Sequence, residues 1–240
     1  MNDKVLELNE VDYVYFDGTK ALNNISVKFL KNEKVAIVGP NGSGKTTFLL
    51  VASFLYSPTR GSVKLFNNGE EIRDRKTIRK KIGIVFQDPD AQIFNQSVFD
   101  EVAFSLLQVV RKEEEVKEKT EKLIKSLRLD KIRYKMPHRL SFGEKRKVTI
   151  ASVIAKEPEI LLVDEPTSNL DPKSRREIIE ILKEVSTNST FLFSTHDLGA
   201  AFELSKRLII MYDGKIVYDG KTEDIAKNKE ILKRYELAYD

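Results

Sequence analysis

The chain has no cysteine in 240 residues. Disulfides and thiolate chemistry are therefore excluded, and a reducing compartment fits. No apolar run approaches the roughly 18 residues of a membrane span, so work at a membrane would require another chain to hold this one there. The N-terminus, Met1-Asn2-Asp3-Lys4-Val5, lacks the apolar centre of a signal peptide. No block of like charge forms a stripe. The 41 basic and 37 acidic residues leave a net charge of +4, too mild a balance to argue for a nucleic-acid partner. No Asn-Lys-x-Asp sequence occurs, which disfavours a GTPase. No internal repeat or low-complexity linker divides the chain.

What is present is enough for a full core. Hydrophobic residues make up 41% and charged residues 32%, which suits one large domain or a core with a smaller subdomain. Residues 4–30 read as antiparallel strands. Asp17-Gly18 marks a turn, and Ile25, Val27 and Phe29 alternate with polar neighbours to give one buried face. Residues 61–66 and 83–86 read as further strands. From about 88 to 139 the texture is helical, with Val116, Leu123, Ile124 and Leu127 at helical spacing. Glu115/Lys119, Glu118/Lys122 and Glu121/Lys125 are i,i+4 pairs. Ile160-Leu161-Leu162-Val163 reads as a buried parallel strand. Asp171-Pro172 reads as an N-cap with Pro at the first position of a helix reaching about Val185. A strand at 191–194, a hairpin across Asp213-Gly214 and a charged helical tail complete the chain.

Residues 39–46 read Gly-Pro-Asn-Gly-Ser-Gly-Lys-Thr. This is the G-x-x-x-x-G-K-[ST] phosphate-binding loop. Apolar Val35–Val38 before it and Thr47–Ala52 after it supply the strand–loop–helix context that the pattern requires. Gly39, Gly42 and Gly44, with Pro40, Asn41 and Ser43 between them, let backbone N–H groups curl around phosphate oxygens. The helix start adds partial positive charge. Lys45 supplies a cation for the β and γ phosphates, and the Thr46 hydroxyl can face Mg²⁺. A second motif ends the strand at 160–163 with Asp164 and Glu165. There Asp164 can support Mg²⁺, and Glu165 can orient and deprotonate a water.

Gln87, Leu140-Ser141-Phe142-Gly143-Glu144, Ser168-Asn169-Leu170-Asp171 and His196 follow the order of the ATP-binding-cassette ATPases, and the resemblance covers nearly the whole chain. It implies an α/β P-loop NTPase cassette. Such a cassette has a parallel core sheet, an N-terminal antiparallel β layer and an inserted helical subdomain. Residues 1–240 would form one such domain. Its core would be 1–87 and 140–240, its helical subdomain about 88–139, and its helical tail about 220–240. The implied function is ATP hydrolysis with Mg²⁺. Lys45, Gln87, Glu165 and His196 would serve the reaction. Thr46, Gln87 and Asp164 would serve the metal, and Gly39 to Thr47 the nucleotide. Tyr15 would stack on adenine, with Tyr13 and Phe16 as alternatives. Ser141 and Gly143 would bind the γ-phosphate held by a second ATPase subunit, identical or different, with Glu144 placing a negative charge near that nucleotide, and Asp171 would communicate across that dimer. Phe142 and Glu144 depart from the usual glycine and glutamine. Glu144 nevertheless completes an S-x-x-E capping box with Ser141, opening a helix over 145–156. His138 has no such context and reads as surface.

Residues 86–94, Phe-Gln-Asp-Pro-Asp-Ala-Gln-Ile-Phe, and Val98–Phe104 resemble the energy-coupling-factor branch, including cobalt and nickel import ATPases. That resemblance implies a transmembrane scaffold and a substrate-binding integral membrane protein as partners. It also implies a peripheral position on the cytoplasmic face of the cell membrane, and a metal ion or vitamin as cargo. Another transporter branch and a non-transport cassette ATPase are the rival readings. Ile93, Phe94 and Phe104 either face the partner or pack the helical subdomain, and the tail either adds dimer contacts or is a solvated helix.

Overall fold

A computed structural model describes residues 3–237. The alternation in residues 4–30 becomes β1 (Lys4–Val14) and β2 (Lys20–Leu30), an antiparallel pair with Ile25, Val27 and Phe29 buried. β3 (Lys34–Val38) leaves this layer and runs through the Gly39–Gly44 loop into α1 (Lys45–Ala52). β4 (Arg60–Asn67) and β5 (Glu70–Ile72) return to it, giving the order β2-β1-β4-β5. α2 (Arg75–Lys81), capped by Asp74, has no counterpart in the sequence reading. Its seven residues bury Ile78 and end in three cations, too little for a helical period to register.

The second sheet holds six strands. β6 (Ile82–Val85) precedes α3 (Val98–Leu107), α4 (Glu113–Ser126) and α5 (Phe142–Ile154). β7 (Ile160–Asp164), α6 (Pro172–Val185), β8 (Thr190–Thr195), α7 (Leu198–Leu204), β9 (Arg207–Tyr212) and β10 (Lys215–Lys221) follow. The order is β10-β9-β3-β8-β7-β6, parallel except for β10. The buried run at 160–163 is thus a central strand beside β8. One face of this sheet packs with the antiparallel layer around Phe29, Phe48 and Leu65. The other packs under α6 and α7 around Ile178, Leu182 and Phe193. A third cluster, with Val102, Val116, Ile124 and Leu140, lies beneath α3, α4 and α5.

Three expectations change. Glu121 takes Arg133 at 3.1 Å in place of Lys125, because the chain after α4 folds back within reach. The pairs Glu115–Lys119 and Glu118–Lys122 form at 3.0 and 2.6 Å. The helix opened by Ser141 begins at once, at Phe142. The tail, α8 (Thr222–Ala226) and α9 (Lys229–Arg234), is not a solvated helix: Ile225, Leu232 and Leu237 are buried in the cluster under α7.

Candidate functional site

Parallel register brings the chemistry to one edge. Val38 pairs with Thr195, Asp164 with Ser194, and Val85 with Val163. The C-terminal ends of β3, β6, β7 and β8 therefore deliver the Gly39–Thr46 loop, Gln87, Asp164-Glu165 and His196 to a single crevice, where ligands of parallel sheets bind.

The loop is built for close approach. Gly42 and Gly44 have φ of 81° and 98°, in the left-handed region that glycine tolerates. Gly44 is the N-cap of α1 and has no side-chain cap, so the first helical N–H groups face the crevice. Ser43 is buried, and among the described residues its Oγ has no hydrogen-bond partner, which leaves an orphan donor in the wall of the loop. Lys45 Nζ donates to the carbonyls of Gly39 and Pro40 at 2.8 and 3.0 Å and lies 4.0 Å from Glu165 Oε1. Burial lowers its pKa against the opposing pull of Glu165 and Asp164.

The acids are held by hydroxyls. Thr46 Oγ1 donates to Asp164 Oδ2 at 2.8 Å, and Ser194 Oγ donates to Oδ1. The Glu165 N–H donates to both the Oγ and the carbonyl of Ser194, at 3.0 and 3.1 Å. Glu165 sits at φ 45°, unusual for a residue with a side chain. Its carboxylate lies 2.9 Å from His196 Nδ1. The carboxylate is 7% exposed and the imidazole 62%, so the pair has a buried and an open end. Among the described residues no cluster of His, Cys, Asp or Glu could hold a metal on protein ligands alone. The Thr46–Asp164 oxygens nevertheless suit Mg²⁺, which binds through one or two carboxylates and takes its remaining ligands from phosphate and water.

Other candidates lie around this centre. The Tyr15 hydroxyl shares a 2.9 Å hydrogen bond with Thr47 Oγ1, in the first turn of α1, while Phe16 projects fully into solvent. Tyr13 is stacked on Tyr56 with ring centroids 5.3 Å apart. The Gln87 side chain is exposed. Ser141 and Glu144 bond each other, with Ser141 N–H on Glu144 Oε2 at 2.8 Å, and neither bonds the Gly39–Thr47 loop of its own chain. Glu144 thus directs its charge to the helix start. A Cβ on Gly143 would lie 2.9 Å from Ser174 Oγ, so α5 and α6 pack too closely there for a side chain. Asp171 caps α6 through Lys173 N and Ser174 N at 2.9 and 3.1 Å, and hydrogen bonding, led by the Ser174 hydroxyl, lowers its pKa. His138 is exposed in a short 3-10 turn.

The profile of the ABC transporter family matches residues 22–168. The chain belongs to the ABC transporter family. It is an ABC ATPase, 39% identical over 216 residues to the energy-coupling factor transporter ATP-binding protein EcfA of Carboxydothermus hydrogenoformans. That match covers 88% of this chain and 79% of the other. Its fold is similar to cbiO1 of Clostridium perfringens, described as part of the ABC transporter complex cbiONQ. The TM-score is 0.83 at 33% identity, over 98% of this chain and 95% of that one. A dimeric ATP-binding cassette in a post-hydrolysis state with ADP and Pi gives a TM-score of 0.81 at 30% identity, over 90% and 98%.

Two side chains of this ATPase carry more than the motifs disclose. Ser194 joins both acids, and Arg146 is fully buried beside Gln87. The first stands next to Thr195-His196 in sequence, but only the pairing of β7 with β8 reveals its contact. Ser194→Val, which keeps shape near that of Thr without a hydroxyl, is expected to lower ATP turnover about tenfold, the cost of unmaking a buried charged hydrogen bond. Ser194→Thr should stay within about threefold of the parent on the same reasoning. Steady-state ATPase assays of both variants check this.

Proposed function

We propose that this chain is the ATP-hydrolysing subunit of an energy-coupling-factor type importer. It would energise uptake of a metal ion such as cobalt or nickel, or of a vitamin. The observation that carries the reading is the convergence of Lys45, Thr46, Asp164, Glu165 and His196 at adjoining strand ends. The names of EcfA and cbiO1 support the branch.

In this reading ATP lies with its phosphates in the Gly39–Thr47 loop and its adenine against Tyr15. Lys45 gives up its two carbonyl bonds to meet the β and γ phosphates. Thr46, Asp164 and Gln87 would hold Mg²⁺, whose chemistry there would be to offset charge on the phosphates. Glu165 takes the proton of the attacking water, and His196, anchored through Nδ1, presents its exposed edge to the γ-phosphate. Ser141 and Gly143 serve the nucleotide of a second ATPase subunit. Asp171 stands at the dimer contact, and Glu144 keeps the helix start in shape. The helical segment 88–139 is one arm of a single cassette of residues 1–240.

No helix among the described residues is long and apolar enough to cross a membrane, so a scaffold partner would place the chain at the cytoplasmic face. The surface for that contact follows Gln87. Phe94 and Phe104 meet edge to face at 5.0 Å and are 68% and 40% exposed, whereas Ile93 packs inward on the third cluster. Leu55, also exposed, lines the same hollow as Phe94 and Phe104 and extends the apolar patch. Phe94→Ala is expected to weaken partner binding about tenfold or more, as for a central aromatic anchor, with ATP affinity unchanged. Purification of the tagged chain from gently solubilised native membranes is the test. Recovery with a multi-span scaffold and a small integral binding protein supports the importer. Recovery with ribosomes or nucleic acid overturns it.

A further inference from the structure

Arg146, on the first turns of α5, is the largest fully buried side chain of the described residues. Its Nη1 donates to the carbonyl of Phe86 at 2.6 Å and its Nη2 to the carbonyl of Gln87 at 2.5 Å. Among the described residues its Nε has no hydrogen-bond partner and no carboxylate pairs with it directly. Burial pulls its pKa down to about 10, opposed only at longer range by Asp164, Asp88 and Glu165. A buried cation of this kind is expensive, and an apolar side chain of like volume would fill the space without that cost. Packing alone therefore does not account for it.

Its surroundings point to a fastening. The guanidinium lies 5.4 Å from the ring centroid of Phe142, the aromatic that stands where the family usually has glycine. The neighbouring Lys145 reaches Asp90 at 2.6 and 2.8 Å. The start of α5, with Ser141 and Gly143, is thus tied at two points to the segment that runs from Gln87 towards Phe94. We propose that Arg146 is a positioning residue that makes the Gln87 turn and the start of α5 one mechanical unit, with Phe142 shielding the joint from water. Displacement of the Phe94 surface then moves Gln87 and Ser141 together. The consequence for the reaction rests on the ATPase reading given above; the fastening itself does not.

The test compares Arg146→Met and Arg146→Lys in the full chain. Amide hydrogen exchange should rise about tenfold in the Met variant at both 86–92 and 141–144, with the 39–47 loop unchanged. The Lys variant, whose cation can reach one carbonyl, should recover part of that protection. It carries the comparison alone if Met is not tolerated. In steady-state assays kcat should fall about tenfold while KM for ATP stays within about twofold, because the loop that binds ATP is untouched. Unchanged exchange at either segment, or Met and Lys variants indistinguishable in both exchange and kcat, overturns the proposal. A parent chain that hydrolyses no ATP overturns the ATPase reading and the kinetic consequence, while exchange still decides the fastening.

Discussion

Glu165→Gln is expected to reduce ATP turnover by about a thousandfold, within the 10²–10⁴ range of a positioned general base, while dimers formed on ATP persist. The amide keeps the shape of a carboxylate that is almost wholly buried, and its backbone N–H still meets both oxygens of Ser194. What is lost is the negative charge and the capacity to accept a proton. Lys45 keeps Asp164 as a countercharge, so its place in the loop is preserved. The variant should therefore bind nucleotide and close on it without consuming it. Parallel measurements of phosphate release and of ATP-dependent dimer mass separate the two effects. Hydrolysis at the parent rate would remove Glu165 from the role of base. Loss of dimers along with turnover would make its contribution to ATP binding as large as its contribution to chemistry.

The elements that were legible in the sequence are those whose signal is local. β3, the Gly39–Thr46 loop and α1 are contiguous, and β7 ends on Asp164 with Glu165 directly after it. Asp171 with Pro172, and Ser141 with Glu144, write their caps in four residues or fewer, and both caps form. The rest is set by tertiary pairing. Nothing local connects Ser194 with Asp164, which lie thirty residues apart and meet because β7 and β8 are neighbours in register. Glu121 chooses Arg133 over Lys125 because the chain after α4 turns back upon it. Arg146 looks like one more cation in Glu144-Lys145-Arg146-Lys147, and its burial follows from where β6 ends. The tail reads as charged because its few apolar residues are dispersed, yet Ile225, Leu232 and Leu237 are the ones that pack.

Gly44→Ala should weaken ATP binding by on the order of a hundredfold, whereas Gly42→Ala, two residues away, should not. Both glycines have positive φ, so each alanine bears the left-handed penalty of about 1–2 kcal/mol. The difference is space. A Cβ on Gly42 meets nothing within 4 Å, but one on Gly44 would lie 2.4 Å from the carbonyl oxygen of Ala21 and 3.3 Å from Leu22 Cδ2. That oxygen belongs to β2, a paired strand that cannot swing aside as a flexible side chain would. The N-terminus of α1 must move instead, carrying the N–H groups that would cradle phosphate together with Lys45 and Thr46. A misplacement near 1 Å costs on the order of a hundredfold in a preorganised site. The strain should also lower stability by roughly 3 kcal/mol, or about 6–12 °C in Tm for a chain of this size. Titration calorimetry and thermal melts of the two variants side by side check both effects. Equal damage from Gly42→Ala would mean that backbone conformation alone, and not the close approach to β2, governs the loop.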